Sequence, residues 1–548
     1  MKRVFLVISF FIVSVCSFGQ NRTNVKPVKN VIVMIPDGTS IGVVSAARWF
    51  QLYNHNIERL NLDPYMCGTV TTFCSNAPIG DSAPTTSCYM TGVPQRAGFV
   101  STYSPADPEN DLLYPLDPSM AYQPLATVLE AARLEKNKAT GLVVTCEFSH
   151  ATPADCASHY YQRGKYKYVA PQIAYNQLDV VFGGGNSLIT EDIKDFFKFN
   201  GTTLIQNDVE SFRNYDSDNK VWALFNDMGF PFDLDRDDSK MPSLAEMTQK
   251  AIDQLSKNKN GFFLMVEGSI VDGAAHANDA IACITEFIAF DKAVGVAMDF
   301  AEKDGKTAVI ILSDHGNSGF TLGRRGCGSS KSTLTELFQN VSQYKKTSGA
   351  LESILRKTPP DKVKPVFHEY TGINLTDDEF KSIVESKNYQ VGDYTEVSNS
   401  RNMRYSIVEI MNSKTCFGFT SGSHTGEEVF LAAYHPSGHV PLGRNTNVEI
   451  NQYLCKVLGL KTSLPELTKK IFSKHTEVLA GYDYVIENKD DFPVLKMKKD
   501  GKELSILAFS SRAYVDGKPF NIGSVTVYMD KTDTFYLPAD ILTRLKFK

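Results

Sequence analysis

The chain has 548 residues, with 57 lysines and arginines against 62 aspartates and glutamates, a formal net charge of −5. That balance excludes the strongly positive field by which proteins hold nucleic acid through its phosphates. With 42% hydrophobic residues the chain can close a large core, and no stretch beyond its first residues is long and apolar enough to span a bilayer.

At the N-terminus Lys2 and Arg3 precede an apolar run over 4–15, too short for a membrane span, and Ser17-Phe18-Gly19 places small residues before Gln20. This predicts a signal peptide over 1–19 and an exported chain, periplasmic in the first instance, cell-surface or secreted otherwise. Bulky Val15 before Cys16 argues against a lipid-attachment site. Export permits disulfides. The nine cysteines after residue 19 are odd in number, and their pairing is unreadable from spacing. Cys67 and Cys74, the nearest pair, are a candidate hairpin bridge.

A buried strand over 31–35 runs into Pro36-Asp37-Gly38. Asp81-Ser82-Ala83 then opens a helix over 83–90, with Pro84 in its first turn, so Ser82 meets the unpaired N–H groups of a helix start. A helix over 124–134 and a strand over 139–145 lead to His150-Ala151-Thr152-Pro153, with Arg163 eleven residues after Thr152. The strand over 180–182 ends in Gly183-Gly184-Gly185, read as a tight turn because it lacks the Lys-Ser/Thr of a phosphate-binding loop. After a helix over 243–255, a strand over 261–266 reaches Glu267, Asp272 and His276. The last two are four apart and share one face of a helical turn. A strand over 307–312 reaches Asp314-His315-Gly316, where the glycine permits a bend, and a strand over 429–433 follows Ser423-His424-Thr425.

Strands alternating with helices predict an α/β fold, a three-layer α/β/α sandwich with a largely parallel central sheet. Runs that stop at an acid, a histidine or a glycine mark the C-terminal sheet edge, where ligands bind. Over a hundred residues separate His315 from His424, more than one connection needs. Helical patterns over 333–342 and 376–386 and a polar stretch over 387–400 make this a cap-like insertion at about 318–420. The catalytic unit is expected over 25–465. Short strands over 485–487, 494–497, 504–509, 525–528 and 534–537, with turns at Asp500-Gly501, Asp516-Gly517 and Asp530-Lys531, predict a β-rich C-terminal appendage over 472–548.

Taken singly, Ser82 is an ordinary helix-capping serine, Asp37 a turn residue and Arg163 a solvated cation. In this order, from about residue 28 to about residue 460, the motifs resemble the alkaline phosphatase family. The resemblance implies that Ser82 is a nucleophile that becomes a phosphoserine and that Arg163 clamps the phosphate, oriented by Asp81. It implies two zinc ions and one magnesium ion. One zinc falls to Asp272, His276 and His424, the other to Asp37, Asp314, His315 and the Ser82 oxygen, and magnesium to Asp37, Thr152 and Glu267. The split suits the metals, since it gives all imidazoles to zinc and only oxygens to magnesium. The six charges of three divalent ions, less four carboxylates and an ionised serine, leave one; Arg163 makes two, matching a phosphate monoester dianion.

Three departures stand out against the best-known bacterial members. Pro84, Thr85 and Thr86 replace small residues, His150 stands for an aspartate, and Gly273 for a lysine. His150 is expected to tune the substrate site. His55, His159, His368, His435, His439 and His475 receive no role. The function implied is hydrolysis of small-molecule phosphate monoesters, with a homodimer as a possible assembly. The alternatives are a phosphodiesterase or phosphonate hydrolase of the same superfamily, and a metal-retaining envelope binding protein without catalysis.

Overall fold

The computed structural model describes residues 25–386, 402–489 and 491–547. The expected signal peptide and the polar stretch over 387–400 lie outside them. Ten strands form the central sheet: β1 (Asn30–Pro36), β2 (Met66–Thr71), β3 (Ala139–Glu147), β4 (Val180–Gly184), β5 (Thr203–Gln206), β6 (Val221–Leu224), β7 (Phe262–Gly268), β8 (Thr307–Leu312), β9 (Val429–Tyr434) and β10 (Gly443–Thr446). Their order is β10-β2-β9-β8-β1-β7-β3-β4-β6-β5. Only β9 runs against the rest, antiparallel to both β8 and β2.

The sheet is covered on both faces, which is why its central strands read as unbroken apolar runs. Alternate residues of β1 enter two separate cores. Val31, Val33 and Ile35 pack with Tyr89, Leu129 and Leu454 on one face. Ile32 and Met34 pack with Met247, Ile252 and Phe287 on the other. The expected α/β/α sandwich is therefore the fold observed. The six expected strands form with ends displaced by a residue or two, and the one expected over 261–266 runs on through Glu267. Four strands escaped the sequence pattern because they are short or lie toward an edge. Gly-Arg-Asn-Thr in β10 has no apolar residue and is a strand only through its parallel pairing with β2.

Among its described residues the insertion carries the α-helices Leu334–Phe338, Ser348–Leu355, Val363–Thr371, Asp377–Glu385 and Met403–Ser413, and a disulfide between Cys327 and Cys416 clips its two ends. The expected Cys67–Cys74 bridge does not form. Cys67 lies within β2, flanked by β9 and β10, and its thiol donates to the Pro441 carbonyl at 3.3 Å. Cys74 turns instead toward the Ile79 carbonyl, also at 3.3 Å.

Beyond residue 472 a five-stranded antiparallel sheet spans Tyr484–Glu487, Val494–Lys499, Lys502–Leu507, Arg512–Val515 and Lys518–Asn521. Asp500 and Gly501 (φ 50° and 77°) and Asp516 and Gly517 (φ 49° and 76°) are all left-handed, as two-residue hairpin turns require. Leu495, Met497, Leu504 and Ile506 join the same core as Leu129, so this sheet is packed onto the α/β sandwich.

Candidate active site

Strand register brings the acids together. Ile35 of β1 lies beside Glu267 of β7, and Met34 beside Ile311 of β8. Continuing those parallel ladders sets Asp37 level with Asp314 and just past Glu267. All three carboxylates are fully buried at the C-terminal edge of the sheet. Gly38 makes the turn after β1 at φ 60°, and a Cβ there would collide with the Asp272 carboxylate.

Ser82 is the first residue of the helix Ser82–Thr91, which is buried along its whole length. Its Oγ lies 3.3 Å from Asp37 Oδ1 and 3.3 Å from His315 Nε2. Pro84 sits at the third helical position, where no intrahelical N–H bond is lost. Asp81 does not cap the helix. It accepts from Arg163 Nη1 at 2.7 Å and from the Gly98 N–H at 3.2 Å. Arg163 Nη2 is 3.1 Å from His150 Nε2. A guanidinium only donates, so that imidazole nitrogen accepts and His150 is neutral; burial, then the charge of Arg163, lowers its pKa. Each terminal nitrogen of Arg163 keeps one further N–H, a pair suited to two phosphoryl oxygens.

The ligand-type side chains share a pattern in which one atom is anchored and the other is aimed inward. His276 Nδ1 donates to the Gly422 carbonyl at 2.9 Å, His424 Nδ1 to Gly80 at 2.9 Å and His315 Nδ1 to Gly316 at 3.1 Å. Carbonyls only accept, so the Nδ1 atoms carry the protons and the Nε2 lone pairs face the site. Two of those lone pairs, on His276 and His424, meet at 3.2 Å. Such an approach is repulsive unless a proton or a cation lies there. Asp314 Oδ1 accepts from the Gly38 and His315 N–H groups at 3.0 Å, and Glu267 Oε2 accepts from Ser269 at 2.7 Å. Their second oxygens, like Thr152 Oγ1, are buried with no hydrogen bond of normal geometry among the described residues.

Charge in the pocket is unbalanced. Burial, then Asp314, Asp272 and Glu267, push the Asp37 pKa well up, and burial pushes Glu267 to about 8 against the hydrogen bond from Ser269. Burial also opposes ionisation of Asp272, but positive charge at His276, His315 and His424, where the facing Nε2 atoms need a proton or a cation, outweighs it and holds its carboxyl far below the usual range. Asp272 and His276 fall on one helix, Ile270–His276, with Oδ2 and Nε2 3.3 Å apart. Asp272, His315 and His424 bring ligand atoms within 4.8 Å of one another, as do Asp37, Asp314 and His315. Orphaned buried oxygens, converging imidazole lone pairs and surplus negative charge fit divalent cations.

The structure thus brings together every sequence-predicted site residue, and it adds others. Asn317 Nδ2 donates to Asp272 Oδ1 at 2.6 Å, and the Ser313 hydroxyl accepts the Thr39 N–H at 2.8 Å. Cys146, His150 and Glu267 also gather their ligand atoms within 4.8 Å. Ser313 and Asn317 flank the Asp-His-Gly motif, the one signal that pointed to them; for Cys146 the sequence carries none. One expectation changes. Gly316 takes no left-handed turn but lies in a short strand paired with His424–Thr425, where a Cβ would push aside the Glu427 carboxylate.

Residues 28–460 match the family model described as Alkaline phosphatase. The chain is 33% identical over 454 residues to alkaline phosphatase 3 of Bacillus subtilis, covering 80% of this chain and 91% of that protein. It is 28% identical over 508 residues to the repressible alkaline phosphatase of Saccharomyces cerevisiae, covering 82% and 84%. Among solved structures, the Thermus thermophilus alkaline phosphatase superposes with a TM-score of 0.67 at 23% identity, covering 80% of this chain and 94% of that one. The alkaline phosphatase of the Antarctic bacterium TAB5 does so at 0.55 and 25%, covering 80% and 100%.

Proposed function

The chain belongs to the alkaline phosphatase family of phosphomonoesterases, and from that premise we propose that it hydrolyses phosphate monoesters through a phosphoserine formed on Ser82. One observation carries the reading: the Ser82 hydroxyl, at a buried helix start, stands 3.3 Å from both Asp37 and His315.

Asp272, His276 and His424 would hold one zinc ion, Asp37, Asp314, His315 and Ser82 Oγ a second, and Asp37, Thr152 and Glu267 magnesium. A variant of the TAB5 enzyme holds magnesium in its M3 site, which supports the third assignment. When bound, these ions supply Lewis-acid polarisation of the attacking and departing oxygens and offset the carboxylate charge. The protein supplies position. Ser82 Oγ bonds to phosphorus as the ester oxygen leaves with the alcohol; water then breaks the Ser82–phosphate bond and restores the serine. The two spare N–H groups of Arg163 hold phosphoryl oxygens, while Asp81 and neutral His150 fix the guanidinium plane.

We assign 25–465 to the catalytic unit, about 318–420 to its insertion and 472–548 to the appendage. Export with loss of 1–19, and pairing into a homodimer, belong to the same proposal. The Cys327–Cys416 disulfide supports an oxidising compartment. Among the described residues no helix is long and apolar enough to cross a membrane.

The test compares an aryl phosphate monoester with its diester, then traps the enzyme with labelled substrate. The parent is expected to favour the monoester and to carry label on Ser82. Ser82→Ala is expected to lose the label and several orders of magnitude in turnover. Label on another residue, or near-parental turnover in Ser82→Ala, contradicts the assignment.

A further inference from the structure

A cleft of about 310 Å³ opens between the stretch around Arg163 and the chain beyond residue 472. One wall is the stretch that also carries Arg163 and includes Tyr161, Gln162 and Lys165; the other includes Lys489, Asp530 and Lys531. Several of its charges are already matched. Lys489 pairs with Asp533 at 2.6 Å, Asp491 pairs with Lys167, and Asp530 accepts the Tyr161 hydroxyl at 2.8 Å. Lys165 and Lys531 have no carboxylate within ion-pair distance among the described residues, and Lys531 Nζ stands 5.6 Å over the Tyr161 ring. Aromatic faces here pack on each other, Tyr168 on Phe509 at 4.7 Å and Tyr160 on Tyr161 at 4.6 Å. The surface left for a ligand is therefore ammonium, hydroxyl and carboxylate rather than apolar.

The cleft adjoins the phosphate site through two routes. Gln162 lines it, and the next residue, Arg163, is bound to Asp81 beside Ser82. Lys165 is two residues further on, so even in an extended chain its Cα lies within roughly 7 Å of that of Arg163. On the second route, Gly98 donates to Asp81 and the Phe99 ring lies 6.3 Å from Tyr161.

We propose that this cleft is a second anion subsite, taking the outer phosphate of a polyol that carries two phosphate monoesters. The inference rests on the phosphomonoesterase reading above and names its substrate class. Arg163 holds the phosphate under attack, Lys165 and Lys531 hold the other, and Asp530 accepts polyol hydroxyls between them. The attacked P–O bond breaks as before; the outer phosphate is bound and not cleaved in that turnover.

The test measures kcat and KM for p-nitrophenyl phosphate, fructose 6-phosphate and fructose 1,6-bisphosphate in the parent, in K165A/K531A and in K165R/K531R. The parent is expected to prefer the bisphosphate over the monophosphate. In the alanine pair the bisphosphate KM should rise roughly five- to tenfold, the sum of two exposed contacts, with kcat kept within about twofold. The other two substrates should change by less than about twofold, the arginine pair should keep the preference, and added salt should narrow it. Equal losses on both sugars, or no loss on the bisphosphate, overturn the subsite. If the parent hydrolyses the aryl phosphate without preferring the bisphosphate, only the subsite falls. If it hydrolyses none of the three, the catalytic reading falls with it.

Discussion

Asn317 is a side chain outside the proposed ligand set that holds one of its members. Its amide donates to Asp272 Oδ1 at 2.6 Å, while its backbone N–H reaches Ser40 Oγ at 3.1 Å. Asp272 stands within 3.3 Å of His276 and 3.7 Å of His424, so its orientation decides whether three donors converge. Partners of this kind typically change metal affinity by roughly 10–100-fold. Asn317→Ala is expected to weaken zinc by about that much with the fold retained. Competition against a chelating dye measures it, and unchanged zinc affinity would show that Asp272 is held well enough by its own helix. The proposed ligands were legible in the sequence through the order of their motifs, which resembles that of the alkaline phosphatase family, and not residue by residue. Asn317 was not, since an asparagine beside a turn is commonplace.

At the scale of elements, the helix Ala280–Asp304 buries a carboxylate that the site does not use. Glu286 is 3% exposed and accepts the backbone N–H of Asp233. Burial pushes its pKa from 4.5 to about 8, against that hydrogen bond. The folded value lies above the unfolded one, so in that window the folded chain binds more protons than the unfolded one. Its stability contribution is complete below pH 4.5 and is lost as pH rises through about 8. Glu286→Gln keeps an acceptor for Asp233 and cannot ionise. Urea unfolding should therefore show the parent falling relative to the variant by up to about 1.4 kcal/mol per pH unit across the window. Parallel pH profiles would mean that Glu286 stays solvated in solution. The helical pattern over 376–386 was readable in the sequence, and the structure starts that helix, Asp377–Glu385, with a reciprocal capping box of Thr376 and Glu379. Short sheet members such as β5 and β10 had no comparable local signal.

Across the whole molecule, the proposed ligand set reaches from Asp37 to His424 and would tie β1, β7 and β8 to the strand that returns from the insertion. Ions bound only by the folded chain stabilise it by mass action, about 4 kcal/mol for one ion at a thousandfold excess over its Kd. Removing metals with a chelator should lower the Tm by several degrees, and zinc with magnesium should restore it. A Tm indifferent to chelation would show that the carboxylate cluster folds unaided. The sequence by itself determined the layer architecture, because hydrophobic period is a local property of the chain, and it named the residues of the proposed site through motifs whose order resembles that of the family. It also located the β-rich C-terminal region, through left-handed Asp-Gly turns that few other residue pairs tolerate. Only the tertiary structure decided which cysteines pair, since Cys327 and Cys416 meet across 89 residues of sequence. The same holds for the approach of His276 to His424, for Asn317 beneath Asp272 and for the cleft beside Arg163. Each joins residues distant in the chain, and no local pattern encodes a distance that packing alone creates.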